Sequence, residues 1–238
     1  MIKRNLPKAI ISSIITLLPI LVGLLLWDSL PEVITTHFGI NGEPDGFSGK
    51  GFAVFFIPLF MLAMHWFCLG ITAVIDGKEA KQSDKIYGLM FFICPTLSLV
   101  TSGWLYAIAL GFEFNIGVLL SIILGAMFVL IGNYMPKAKR NRTFGVKIKW
   151  TLENDENWAA THRFAGRIWF FGGFVLILTA LIPAKLHFFV FLPLMLLLAL
   201  APMGYSYVYY RGQLASGEIK KGEANDSLNK KRDKIIGI

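Results

Sequence analysis

Four histidines mark the places where this sequence could do chemistry. His37 is followed closely by Glu43 and Asp45, and histidine with carboxylates is the usual set for holding a metal or moving a proton. One imidazole with two loop carboxylates defines neither, and a hydrogen-bonded loop or a peptide-binding surface accounts for them better. His65 and His187 lie within or at the edge of long apolar runs. Ionisable groups at membrane depth point to function, yet no Asp, Glu, Lys or Arg lies inside those runs to form a relay. That weighs against a proton-coupled transporter. His162 is followed by Arg163, and no Ser, Cys or Asp nucleophile stands beside it, so no catalytic residue, metal, cofactor or enzyme activity is expected. The other chemistry available is charge. Lys137, Lys139, Arg140, Arg142, Lys147 and Lys149 either hold the chain against anionic lipid, at about 1 kcal/mol each, or dock an acidic partner with Trp150 and Trp158 as aromatic anchors.

The elements that must position these residues follow from composition. The chain has 238 residues, 55% hydrophobic and only 16% charged, with a mean hydropathy of +0.61. Soluble domains carry about 25% charged residues, so a water-facing exterior cannot be built here. All the charge lies outside six uncharged runs, at residues 9–27, 52–75, 86–110, 114–135, 168–184 and 186–210. Each is close to or above the roughly 20 residues that a helix needs to cross a bilayer. The expected fold is an all-α integral membrane protein, a six-transmembrane-helix bundle. The first run is too long for a signal-peptide core and lacks a small-residue cleavage site, so it is expected to be retained.

Orientation follows from the loops. Lys3, Arg4 and Lys8, then Lys78, Lys81 and Lys85, eight basic residues from Lys137 to Arg167 and seven in the tail from Arg211 share one side. The other side holds Lys50 and Lys185 with Asp28, Glu32, Glu43, Asp45 and Glu113. The positive-inside rule puts both termini of this multi-pass membrane chain in the cytoplasm. The net charge of +8 is thereby explained by topology, with membrane lipid as a partner and no direct nucleic-acid role. Cys68 and Cys94 fall inside apolar runs without metal-type spacing and read as small buried hydrophobes.

Two segments are too long to be mere connectors. In the outer one, residues 28–51, the β-branched stretch predicts a short strand with Val33, Thr35 and His37 on one face and Ile34, Thr36 and Phe38 on the other. Asn41-Gly42 and Asp45-Gly46 are turn signals, and Ile40, Phe38 and Phe47 are expected to pack the loop onto the membrane. In the inner one, residues 136–167, Asn154 is a helix N-cap with Asp155 and Glu156 in the first turn. Trp158, His162, Ala165 and Trp169 then form one stripe of an interfacial helix leading into span five. Asn133, Tyr134 and Asn141 are placed to satisfy carbonyls freed around Pro136. Gly117, Ser121 and Gly125 recur every four residues, a stripe that allows close helix approach and puts span four at the centre. The chain divides into an amino-terminal membrane module (1–75), a second membrane region (76–210) and a solvated tail (211–238).

The inner segment resembles the SdpI-like family of bacterial membrane proteins, the immunity proteins against a secreted sporulation-delaying toxin and their relatives. The resemblance is carried by Gly132-Asn133-Tyr134-Met135-Pro136-Lys137, Asn141, Phe144-Gly145, Trp150-Thr151-Leu152, Trp158, Thr161-His162-Arg163 and Gly166. The outer loop is similar to an amino-terminal module often joined to that region, through Leu30-Pro31, His37-Phe38, Gly42, Pro44-Asp45-Gly46 and Lys50. Lys149 departs from the pattern, standing where relatives often have proline, and is expected to alter the turn there. The resemblance implies a non-enzymatic protein that protects its cell from a secreted peptide toxin. It also implies, in one branch, capture of a cytoplasmic transcriptional repressor. His37, Asn41, Gly42, Asp45 and Lys50 would then shape an outer binding loop. Asn133, Tyr134, Pro136, Asn141, Gly145, Trp150, Thr151, Trp158, His162 and Arg163 would shape a cytoplasmic platform. A signalling receptor and a small transporter are the alternatives.

Overall fold

The computed structural model describes residues 5–39, 42–76, 84–113 and 115–219. The expectations for Lys3, Arg4, Ile40, Asn41, Lys78, Lys81 and most of the tail lie outside the described residues. Six helices are long and apolar enough to cross a membrane, and the protein is an all-α membrane bundle with one small hairpin. In chain order the elements are α1 (Leu6–Leu25), β1 (Val33–Phe38), β2 (Pro44–Gly49), α2 (Ile57–Asp76), α3 (Asp84–Ala109), α4 (Ile116–Tyr134), α5 (Lys149–Glu153), α6 (Asp155–Leu178) and α7 (Ala184–Ala215). A π-helical stretch, Phe52–Phe56, runs directly into α2. Large aliphatic and aromatic side chains such as Leu25, Val74, Phe171 and Leu181 are exposed on the bundle exterior, as a hydrocarbon solvent permits.

Helices α1, α2 and α3 pack on one another, and α4, α6 and α7 form a second set; between the sets contacts are few. The first set is joined by polar groups that the apolar runs conceal. Ser12 Oγ lies 2.8 Å from His65 Nε2. Ser98 donates to the Thr16 carbonyl at 2.8 Å, and the Tyr106 hydroxyl donates to the Pro19 carbonyl at 3.1 Å. Such interhelical bonds contribute about 0.6 kcal/mol each in membranes, so they fix rotation and register more than they stabilise.

The second set is held by backbone proximity. A Cβ on Gly125 would stand 2.6 Å from the Gly173 carbonyl, and one on Gly132 would stand 3.0 Å from the Gly166 carbonyl. Gly125 and Gly132 on α4 thus face Gly173 and Gly166 on α6, in pairs seven residues apart on each antiparallel helix. Ser121, a member of the expected stripe, bonds instead to Thr179 Oγ1 at 2.8 Å and His187 Nε2 at 2.7 Å. Span four is therefore not central. Helix α6 touches both α4 and α7, because its small residues face one neighbour while Asn157 faces the other. Neither cysteine is buried: Cys68 is exposed and Cys94 partly so, since both lie on helix faces turned to lipid.

The hairpin β1–β2 is antiparallel, with Val33 opposite Gly49 and His37 opposite Gly46. The expected faces hold: Ile34 is buried and Phe38 packs at a tilt against Trp104 of α3, ring centroids 4.8 Å apart, whereas Val33 and His37 are exposed. Gly42, with φ of 80°, serves the turn. Asp45-Gly46 is not a turn but part of β2, at an irregularity in the register opposite His37. Phe47 is exposed.

Candidate functional site

At the basic end of the bundle, α4 runs out through a 3-10 turn, Met135–Lys137. The Pro136 ring lies where a Cβ on Gly166 would be, at 2.6 Å, so the turn is seated directly on α6. Asn141 then builds the loop on itself. Its Oδ1 accepts from the backbone of Thr143 and Phe144 at 2.8 and 2.6 Å, and its amide donates to the Lys139 and Phe144 carbonyls at 2.8 and 3.0 Å. It serves its own loop, not the carbonyls around Pro136. Arg140 ties the same loop to the start of α6, with Nε 2.6 Å from Asp155 Oδ1 and a bond to the Leu152 carbonyl at 2.7 Å.

Below the loop sits a buried pair. Trp158 and His162 stack with ring centroids 3.9 Å apart. Trp158 Nε1 donates to the Ala138 carbonyl at 2.8 Å. His162 Nε2 accepts the Val146 N–H at 3.1 Å, and Nδ1 lies 2.8 Å from the Trp158 carbonyl. With Nε2 accepting, the proton belongs on Nδ1 and the ring is neutral. Gly145 crosses directly above with φ of 110°, and a Cβ there would collide with His162 Nε2. The loop can approach the imidazole this closely only through glycine.

Helix α5 closes the platform. Thr151 Oγ1 donates to the Val146 carbonyl at 2.7 Å and accepts the Ile148 N–H at 3.1 Å. Lys149 is the first helical residue, a position that proline also suits. Trp150 rests on Tyr207 and Tyr210 of α7, at 5.1 and 5.9 Å.

The expected platform residues thus divide. Thr151, Trp158 and His162 are interior, and Gly145, Asn141, Tyr134 and Trp150 are half-buried, whereas Asn133, Pro136 and Arg163 are exposed. Trp158 is buried and presents no face to a partner; it supports the loop from beneath. The helix expected to lead into span five does so without a break, as the first half of α6, and Asn154 caps it by accepting from Glu156 and Asn157 at 2.8 and 3.0 Å.

Sequence reasoning missed the lock between α6 and α7. Asn157, fully buried, donates to the Ser206 carbonyl at 3.0 Å and accepts the Ser206 hydroxyl at 2.6 Å and the Thr161 hydroxyl at 2.9 Å. Gln213 bridges Asn154 and Glu156, both contacts at 3.1 Å. An asparagine directly before the tryptophan that opens the Trp158-His162 stripe was the available signal.

At the hairpin end of the bundle, His37 Nδ1 and Asp45 Oδ1 are 2.5 Å apart, with both side chains largely exposed. Among the described residues no three His, Cys, Asp or Glu side chains converge as a metal site would require. Lys50 is the opposite case, a lysine only 9% exposed. Its Nζ lies 2.8 Å from Glu32 Oε1, donates to the Trp27 carbonyl at 3.2 Å and sits 4.7 Å from the centre of the Trp27 ring. It pins the base of the hairpin to the end of α1. Asn41 lies outside the described residues, and Gly42 shapes the turn.

Comparison with known proteins agrees with the two-part reading of the motifs. Residues 137–206 match the SdpI/YfhL protein family, and residues 14–62 match a domain of unknown function, DUF1648. The chain is 28% identical to Immunity protein SdpI of Bacillus subtilis (strain 168) over 204 residues, which is 86% of this chain and 96% of that protein. No solved structure matches it. With both regions matched in order, and the loop motifs folded against the helix that carries their partners, the chain is similar to the SdpI/YfhL family over residues 137–206 and to DUF1648 on its amino-terminal side.

Proposed function

We propose that this protein is a non-enzymatic membrane immunity protein that protects its cell from a secreted, membrane-active toxic peptide, by binding the peptide or masking its membrane target. The observation that carries this reading is the match to Immunity protein SdpI through nearly that protein's whole length. The charge distribution supports cytoplasmic termini, which puts the hairpin outside. There His37, Asp45 and the turn at Gly42 form the tip that meets the peptide, and Lys50 holds the base. Five acidic against two basic outer residues suit a cationic peptide, acting over the ~8 Å that physiological salt leaves unscreened.

Expression in a toxin-sensitive strain is expected to restore growth under peptide challenge. The double variant His37→Ala/Asp45→Asn is expected to lose protection at unchanged abundance, because an exposed pair contributes at most about 1 kcal/mol to stability. Protection that survives both changes would remove the outer hairpin from the site.

Topology is tested separately, in a background lacking Cys68 and Cys94. A cysteine replacing exposed Val33 is expected to react with an impermeant maleimide in intact cells, and one replacing Arg142 only after permeabilisation. Labelling of both in intact cells would reverse the assignment of faces.

A further inference from the structure

Helices α4 and α7 lie on two sides of α6 and approach each other at the outer end, where His187 meets Ser121 and Gly117. Toward the inner loop they leave a groove of about 450 Å³, lined by Leu124, Phe128, Ile131, Trp169, Ala199 and Met203, with residues 145–148 also on its wall. Trp169 is fixed there by a bond from Nε1 to the Leu198 carbonyl at 2.7 Å and by edge contact with Phe128 at 5.6 Å, so the groove has a rigid side. Its volume falls in the roughly 300–1,000 Å³ range of small-molecule sites. Except for Lys147, every side chain on it is apolar or an aromatic whose N–H is already bonded.

Lys147 supplies one charge. Its amine donates to the neutral Thr143 carbonyl at 3.1 Å, and among the described residues no carboxylate pairs with it. It belongs to a loop with eight basic residues between Lys137 and Arg167 against three acidic ones, of which Asp155 is already bound by Arg140 and Glu156 by Gln213. An apolar channel in a membrane-spanning bundle, with an uncompensated cation at its mouth, matches an acyl chain carrying an anionic headgroup. We infer that the groove between α4 and α7 is a binding site for one anionic phospholipid, its chain along Trp169 and its phosphate at Lys147.

The inference does not depend on the immunity reading. Purified protein is loaded with equimolar phosphatidylglycerol and phosphatidylcholine, and the lipid retained after detergent washing is measured by native mass spectrometry. One phosphatidylglycerol per chain is expected, in preference to phosphatidylcholine. Ala199→Phe places a ring in the groove from an exposed alanine and is expected to abolish retention with the protein still folded by circular dichroism. Lys147→Gln is expected to reduce the preference about five-fold, the usual effect of one basic residue at an anionic surface. Equal retention of the two lipids, or retention unchanged by Ala199→Phe, overturns the inference. So does a protein-sized adduct, in place of a phospholipid adduct, from a photoreactive phenylalanine at position 199 in intact membranes.

Discussion

Leucine in place of Gly173 is expected to prevent α4 and α6 from assembling and to strip the protein from the membrane fraction. The first atom of any side chain there would stand 2.5 Å from the Gly125 carbonyl oxygen and 2.7 Å from the Val129 nitrogen. Both are helix backbone, which cannot yield as a side-chain tip can. Overpacking a core costs about 1–3 kcal/mol when side chains can shift, and this substitution should exceed that range. Gly204→Leu is the control, because a Cβ at Gly204 meets nothing within 4 Å. Abundance and thermal unfolding in detergent provide the measurement. Equal melting temperatures for the two variants would contradict the glycine seam.

The second large effect is expected at Gly145, in the loop. Gly145→Ala forces a non-glycine residue to hold φ of 110°, a strain of about 1–3 kcal/mol, and drives a methyl group into His162 Nε2. The loop should detach from α6 while the six spans persist. Trypsin cleavage at Arg142 or Lys147 is then expected to accelerate, with helix content unchanged. His162→Ala is also expected to loosen the loop, by about 1–3 kcal/mol, since the Val146 N–H loses its acceptor. Combining the two separates the causes. The collision disappears in the double variant and the backbone strain remains, so its loss should be smaller than the sum of the single losses. Strict additivity would show that imidazole and loop do not meet.

The six spans were readable because lipid gives the chain no choice: a backbone without water must bond to itself, and only long uncharged runs survive there. The first strand of the hairpin was readable for a similar reason, since Ile34 and Phe38 alternate with Val33 and His37 and one face must be dry; the second was not, because Asp45-Gly46 carries a turn signal yet lies within it. Contacts inside the bundle were not. Ser12, Ser98 and Ser121 look alike in an apolar run, yet the first lies against a histidine, the second caps a carbonyl and the third joins three helices. Gly125 and Gly173 are far apart in sequence, and only the helix crossing reveals them as neighbours. At the inner loop, the histidine and both tryptophans were legible as important. The burial of Trp158 and His162 was not, because residues beside many lysines and arginines look solvent-facing until Ala138 and Val146 are seen to be their partners.

The sparse meeting of α1–α3 with α4–α7 has a mechanical consequence. Within each group, sliding would break hydrogen bonds or press glycine backbones together, so each behaves as a stiff body. Between the groups little would be broken by rotation. The outer hairpin rides on the first body through Phe38 and Trp104, while the basic elbow belongs wholly to the second. A tilt of one against the other would carry a displacement from one face of the bilayer to the opposite face.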